Sequence, residues 1–263
     1  MRSIVSFVMC LGMFVANASV AETDPDGALF QPSDDPVADV QQALSRAGDE
    51  DKLALVVLGA NWCHDSRALA SRLHKSPLAE TIEQNYELVF VDVGYYEHGR
   101  DVVQQFGVVH YYATPTVLIL DPPGGQLLNN DDRHIWGDAA KIDMTSSVEY
   151  FENWATHDRA AEPPAESDQL RQLYAEIDAF EQQLADRVAA GYAVVGPKLA
   201  AYKAGNPPED FRASWDELGK FRNAIPGAIR DLRDEAERRA SAGEPDIQLQ
   251  YPEYPPLSWE SGD

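Results

Sequence analysis

Cysteine is nearly absent: the 263 residues hold two, Cys10 and Cys63. So few thiols exclude a disulfide-stapled scaffold and a cysteine-rich metal cluster. Basic residues are scarce too, with 21 Lys and Arg against 44 Asp and Glu and a formal net charge of −23. Such a surface repels phosphate backbones and anionic lipid, which argues against nucleic acid and membrane as partners. The acidity itself is read as solubility. No apolar run reaches the roughly 20 residues that a membrane-spanning helix needs. A hydrophobic fraction of 44% still allows an ordinary core.

The N-terminus reads as a secretory signal over residues 1–21. Arg2 gives the positive start, Ile4 to Val15 is almost wholly apolar, and Ser19-Val20-Ala21 supplies the small residues that precede cleavage before Glu22. Cys10 follows Met9, not the small residue of a lipoprotein signal, so it leaves with the signal. The expectation is a periplasmic protein, free of the membrane after cleavage, whose one thiol is Cys63. A lone cysteine outside the cytosol is a reactive thiol, an intermolecular disulfide or a buried small hydrophobe. Cys63 stands in the polar tetrad Cys63-His64-Asp65-Ser66 at the start of a helical pattern, which favours the reactive thiol.

The surrounding stretch, Leu53 to Leu73, runs from a buried strand through a short turn into a helix. It resembles the thioredoxin superfamily, whose W-C-x-x-C signature stands here as Trp62-Cys63-His64-Asp65-Ser66. A second element, Ala113-Thr114-Pro115-Thr116 before the apolar Val117 to Leu120, resembles the strand entry of that family. The likeness covers roughly residues 36–158. It implies an α/β fold, a thioredoxin-like mixed sheet flanked by helices, with Pro115 in the cis state facing Cys63. Period and punctuation place strands at Leu53 to Leu58, Glu87 to Val93, Val117 to Leu120 and Gln126 to Leu128. They place helices at Pro36 to Arg46, Cys63 to His74, Ser76 to Asn85 (with Ser76 as N-cap), Asp101 to Phe106 and Thr145 to His157. Residues 22–35 read as a flexible lead-in, and Asn129 to Asp138 as a polar loop.

Beyond a linker at 159–167 the pattern changes. Leu170, Leu173, Ile177, Phe180 and Leu184 recur at alternating three and four, and Phe211, Trp215, Leu218, Arg222, Ile225, Ile229 and Leu232 nearly repeat that spacing. This predicts a C-terminal helical hairpin over 168–242 with an apolar seam, its aromatics read as core, and a possible homo-oligomer contact. Gly196-Pro197 and Pro226-Gly227 are expected to kink or break the arms. Residues 243–263 read as a Pro-rich tail, extended or disordered.

A helix N-terminus stabilises a thiolate through its unpaired N–H groups and dipole. Cys63 is therefore the candidate nucleophile, and Ser66 is expected to donate a hydrogen bond to its sulfur. Trp62 and His64 flank it as substrate-binding residues. His64 adds positive charge at low pH, and Asp65 opposes it. The resemblance implies that Thr114 and Pro115 bind an extended client backbone. Two departures matter. Ser66 replaces the resolving cysteine, and Val57 stands where the family carries a buried aspartate. Together they predict an exported monothiol thiol–disulfide exchange protein, an oxidoreductase or isomerase acting on client protein thiols or disulfides. Its mixed disulfide is resolved from outside, by glutathione or another external thiol, with no other cofactor. The alternative is a non-catalytic binding or scaffold module using the groove near Pro115 and the hairpin. A glutathione transferase, which also joins such a domain to helices, fits the Trp62-Cys63 and Thr114-Pro115-Thr116 elements less well. His64, His98, His110 and His134 have no ligand spacing around Cys63, so no metal site is expected.

Overall fold

The computed structural model describes residues 29–157 and 167–260. The signal, the first part of the lead-in, most of the linker and the last three residues lie outside the described residues.

β1 (Leu53–Gly59) is LALVVLG, with every residue buried. An unbroken apolar strand suits a central position covered on both faces. β1 takes that place between β2 (Tyr86–Asp92), which pairs with it in parallel, and β3 (Thr116–Asp121), which pairs antiparallel with Val57 opposite Val117. The short β4 (Gln126–Leu127) closes the edge, giving the order β2-β1-β3-β4. The helices are α1 (Pro36–Asp49), α2 (His64–Leu73), α3 (Leu78–Asn85), α4 (Arg100–Gln104) and α5 (Met144–Ala155). The expected fold class is the observed one, a thioredoxin-like mixed sheet flanked by helices.

Alternation along β1 divides its side chains between two cores. Leu55 and Val57 join Leu69, Leu73, Leu78, Ile82, Trp136 and Phe151 on one face. Ala54, Val56 and Leu58 join Val40, Leu44, Val102 and Val103 on the other. The second core continues into α6 (Asp168–Lys203) and α7 (Phe211–Ser241) through Ile177, Val188, Tyr192, Val195, Leu218 and Ile225. The hairpin is therefore docked on the sheet domain. Polar contacts pin it: Tyr112 donates to Glu181 at 3.0 Å, Tyr192 donates to the Tyr111 carbonyl at 3.2 Å, and Arg100 pairs with Asp186 at 2.6 Å. Gly196 lets α6 press against the Tyr95 carbonyl, where a Cβ would overlap the oxygen.

Several expectations are corrected or sharpened. Pro197 and Pro226 do not break the arms: each lies inside a continuous helix. Burial of Val195, Leu199, Ile225 and Ile229 on either side holds each helix across its missing N–H. α3 begins one residue beyond Pro77, and Ser76 is not its N-cap. α1 runs to Asp49, beyond Arg46, with Asp35 capping the Ala38 N–H at 2.9 Å. Part of the expected polar loop is a 3-10 segment, Ile135–Lys141, because Trp136 and Ala139 are drawn into the core. The end of the lead-in is anchored: Phe30 is buried, and its backbone exchanges hydrogen bonds with the Asn61 side chain at 3.2 and 2.6 Å. The tail lacks helix and strand but is packed, with Ile247 and Leu257 buried and Arg187 bound to Glu260 at 2.7 Å.

Candidate active site

The strand β1 ends at Gly59 and the chain turns through Ala60-Asn61-Trp62 into α2, with Cys63 at the N-cap position. Cys63 is extended (φ −82°, ψ 127°), and its sulfur caps no helix N–H. Its carbonyl accepts from the Arg67 N–H at 3.2 Å, closing the first turn. The N–H groups of that first turn point past the thiol end of the helix, the arrangement that favours an anion.

The loop before β3 brings in the second element. The Thr114–Pro115 peptide is cis, as the resemblance implies. The Cys63 thiol donates to the Thr114 carbonyl at 3.1 Å, and the Thr114 hydroxyl lies 3.5 Å from the sulfur, oriented to donate to it. Cys63 is 9% exposed and unpaired. The expected Ser66 hydrogen bond is not made. Ser66 is fully buried with no partner for its hydroxyl, and it points back toward β1, where a Cβ on Gly59 would stand 2.7 Å away. The polar neighbour of the sulfur is Thr114, which the linear spacing of the motif does not reveal.

Trp62 is fixed by its indole N–H, which donates to the Gly94 carbonyl at 2.7 Å, and by stacking on Tyr95. His64 is exposed at the rim, beside Lys203 and Tyr202. Asp65 accepts from the Ala140 N–H at 2.9 Å and so ties α2 to the 3-10 segment. Trp62, Cys63 and Thr114 thus meet at one cleft, His64 borders a second hollow that shares Trp62 and Cys63 with it, and Ser66 lines neither.

The cleft measures about 550 Å³ and has an unexpected far wall. The wall is α7, which contributes Trp215, Arg222, Asn223, Pro226, Gly227 and Arg230. Trp215 meets Trp62 edge-on at 6.4 Å. Arg222 donates to the hydroxyls of Tyr96 at 2.8 Å and Tyr192 at 3.3 Å, its guanidinium lying over three aromatic rings. Tyr96 is buried with a left-handed backbone (φ 78°), a conformation that costs a tyrosine of order 1–3 kcal/mol and tends to cluster at functional sites. Burial holds the Tyr96 phenol neutral by pushing it above its ordinary range. His134, which also lines the cleft, is pushed down by burial and by Arg133 and Arg230. Sequence reasoning placed none of Tyr96, Arg222 and Arg230 at the site. One signal was present: Arg222 occupies a seam position where the repeat calls for an apolar residue. Among the described residues no group of three His, Cys, Asp or Glu side chains converges as a metal site.

A family model described as thioredoxin-like matches residues 35–122. Among solved structures, a disulphide isomerase from Xylella fastidiosa Temecula1 is similar at 25% identity with a TM-score of 0.45, covering 48% of this chain and 95% of its own. None of the curated proteins compared matches the chain. No helix of the described residues is long and apolar enough to cross a membrane. The matched segment, with the sheet order β2-β1-β3-β4 and the Cys63–Thr114 pairing, makes the N-terminal part of this chain a thioredoxin-like domain, on which a helical hairpin is docked.

Proposed function

We propose that this is an exported monothiol thiol–disulfide exchange protein with Cys63 as its nucleophile. The observation that carries the reading is the seat of Cys63: the N-terminus of α2, against Thr114, at the edge of an open cleft. In the resting state the S–H donates to the Thr114 carbonyl. Once the proton leaves, the Thr114 hydroxyl and the helix N–H groups face the thiolate. The thiolate attacks a disulfide R–S–S–R. A Cys63–S–S–R bond forms, the old S–S bond breaks and RS⁻ departs. Ser66 cannot resolve this mixed disulfide, so a second thiol from solution attacks the R sulfur and restores Cys63. Trp62 and Tyr96 floor the cleft, and the backbone at Thr114 orients the incoming disulfide. Export through residues 1–21 and residence in the periplasm complete the reading.

The test is formation of a reversible mixed disulfide, mapped to the Cys63 peptide by mass, with a turnover rate that vanishes in Cys63→Ser. One observation favours a rival. Cys63 is 9% exposed and hydrogen-bonded as a thiol, as suits a non-catalytic binding module. Under the rival, Cys63→Ser leaves the partner-binding function intact and no adduct forms in the folded protein.

A further inference from the structure

The wall of the thiol cleft carries positive charge in a chain whose net charge is −23. Arg230 is exposed at the rim and makes no hydrogen bond or ion pair among the described residues. Arg222 is held by two phenol hydroxyls, not by a carboxylate. The cleft's own carboxylates are engaged elsewhere: Asp65 takes the Ala140 N–H at 2.9 Å, and Asp138 pairs with Lys141 at 2.8 Å. In the adjoining hollow Arg133 faces Glu181 and Arg233 pairs with Asp178, so those charges are matched. The lining holds two arginines and two aspartates, and the positive charge is concentrated on the α7 wall, where Arg222 and Arg230 have no carboxylate partner among the described residues.

Shape points the same way. The cleft measures about 550 Å³, inside the range of small-molecule sites at roughly 300–1,000 Å³. A second hollow of about 340 Å³ shares Trp62, Cys63 and Trp215 with the cleft and is lined also by Leu199 and Phe211. The end of α6 is tied across the motif, with the Lys203 ammonium donating to the Trp62 carbonyl at 3.3 Å. The hairpin thus contributes lining to both hollows beside the sulfur, each the size of a small molecule.

We propose that the cleft takes a small disulfide or thiol bearing carboxylate groups, with Arg230 and Arg222 binding the carboxylates while Cys63 exchanges with the sulfur. The inference rests on the exchange reading above and names its substrate class. Cys63 thiolate displaces one RS⁻ from R–S–S–R, and a second RS⁻ later displaces Cys63, so sulfur and charge balance at each step.

Rates of Cys63 mixed-disulfide formation would be measured on the purified exported protein with oxidised glutathione (anionic), 2-hydroxyethyl disulfide (neutral) and cystamine (cationic), each relative to a simple thiol in solution. The expected preference for the anionic over the cationic probe is about tenfold, falling as salt rises. Arg230→Glu should abolish it. Arg46→Glu, outside the cleft with the same change in net charge, should retain it. A cationic preference, a ratio unmoved by Arg230→Glu, or faster reaction with a disulfide-bonded unfolded protein would overturn the proposal. A neutral adduct at Cys63 without charge preference sinks this inference alone. No adduct with any probe sinks the exchange reading as well.

Discussion

The sheet domain and the hairpin solve different problems. In the sheet domain every residue of β1 is buried, and the polar groups that matter sit on loops at its ends. In the hairpin an arginine stands inside the apolar repeat and donates to two tyrosines, Tyr96 of the sheet domain and Tyr192 of its own hairpin. The first unit holds the thiol and the second walls it. The difference teaches that a seam residue which breaks its own pattern is better read as facing a neighbour than as a flaw in the core. A buried cation needs partners, and here phenol hydroxyls and ring faces receive it in place of a carboxylate.

The largest expected effect belongs to the sheet domain alone. Cys63→Ser should abolish exchange while leaving the melting temperature within a few degrees, since serine replaces a small, partnered thiol. Residual cysteine-independent turnover would break the division of labour.

Gly196→Val tests the junction. Its side chain would meet the Tyr95 carbonyl, so the hairpin must shift, at a cost of about 1–3 kcal/mol typical of overpacking. Denaturant unfolding should show the loss, and Cys63 should react faster with a bulky alkylating reagent. Unchanged stability would mean that the two units do not press together at this point.

Arg222→Met removes the cation but keeps much of the stem. It leaves the Tyr96 and Tyr192 hydroxyls without this donor, a loss of about 1–3 kcal/mol for a buried group. If stability instead rises, the arginine is held at the expense of folding, which would sharpen its assignment to the cleft.

Acid should weaken the same junction. His110 is buried beside Tyr192, with Nδ1 unpartnered, and desolvation and Arg100 push it down to about 3. Its folded-state value lies below the unfolded one, so the unfolded chain binds the proton first. The contribution is complete above about pH 6.5 and is lost as pH falls toward 3, with a slope of at most about 1.4 kcal/mol per pH unit. His110→Asn should flatten that slope in urea titrations across the window. A slope that persists would assign it to carboxylates instead.

Ser66→Ala carries the smallest effect. The hydroxyl is buried without a partner, so its removal should leave the exchange rate within about twofold and stability unchanged or slightly higher. A large rate loss would restore the expected bond between Ser66 and the sulfur.

Much of this was legible in the linear chain. The apolar run Leu53 to Leu58 announced a central strand, and Trp62-Cys63 with Thr114-Pro115 marked the two loops that meet. Local spacing misled at Ser66: three residues on a helix suggested contact, but an N-cap cysteine in extended conformation directs its sulfur toward the neighbouring loop. Pro197 and Pro226 misled because propensity is local, while buried neighbours decide whether a helix continues. Tyr96, Arg222 and Arg230 were out of reach for another reason. Arg222 and Arg230 reach the cleft only through docking of two units that a linker separates, and no periodicity encodes which faces meet; Tyr96 reaches it from a loop of the sheet domain whose path the linear spacing does not reveal.

The most direct test is to incubate the reduced, folded protein with 2-hydroxyethyl disulfide and follow the Cys63 peptide by mass. The account predicts a mixed disulfide at Cys63 that an added thiol removes, returning the protein for further turnover. If Cys63 reacts in urea and stays untouched in the folded state, the thiol is structural and the central claim is contradicted.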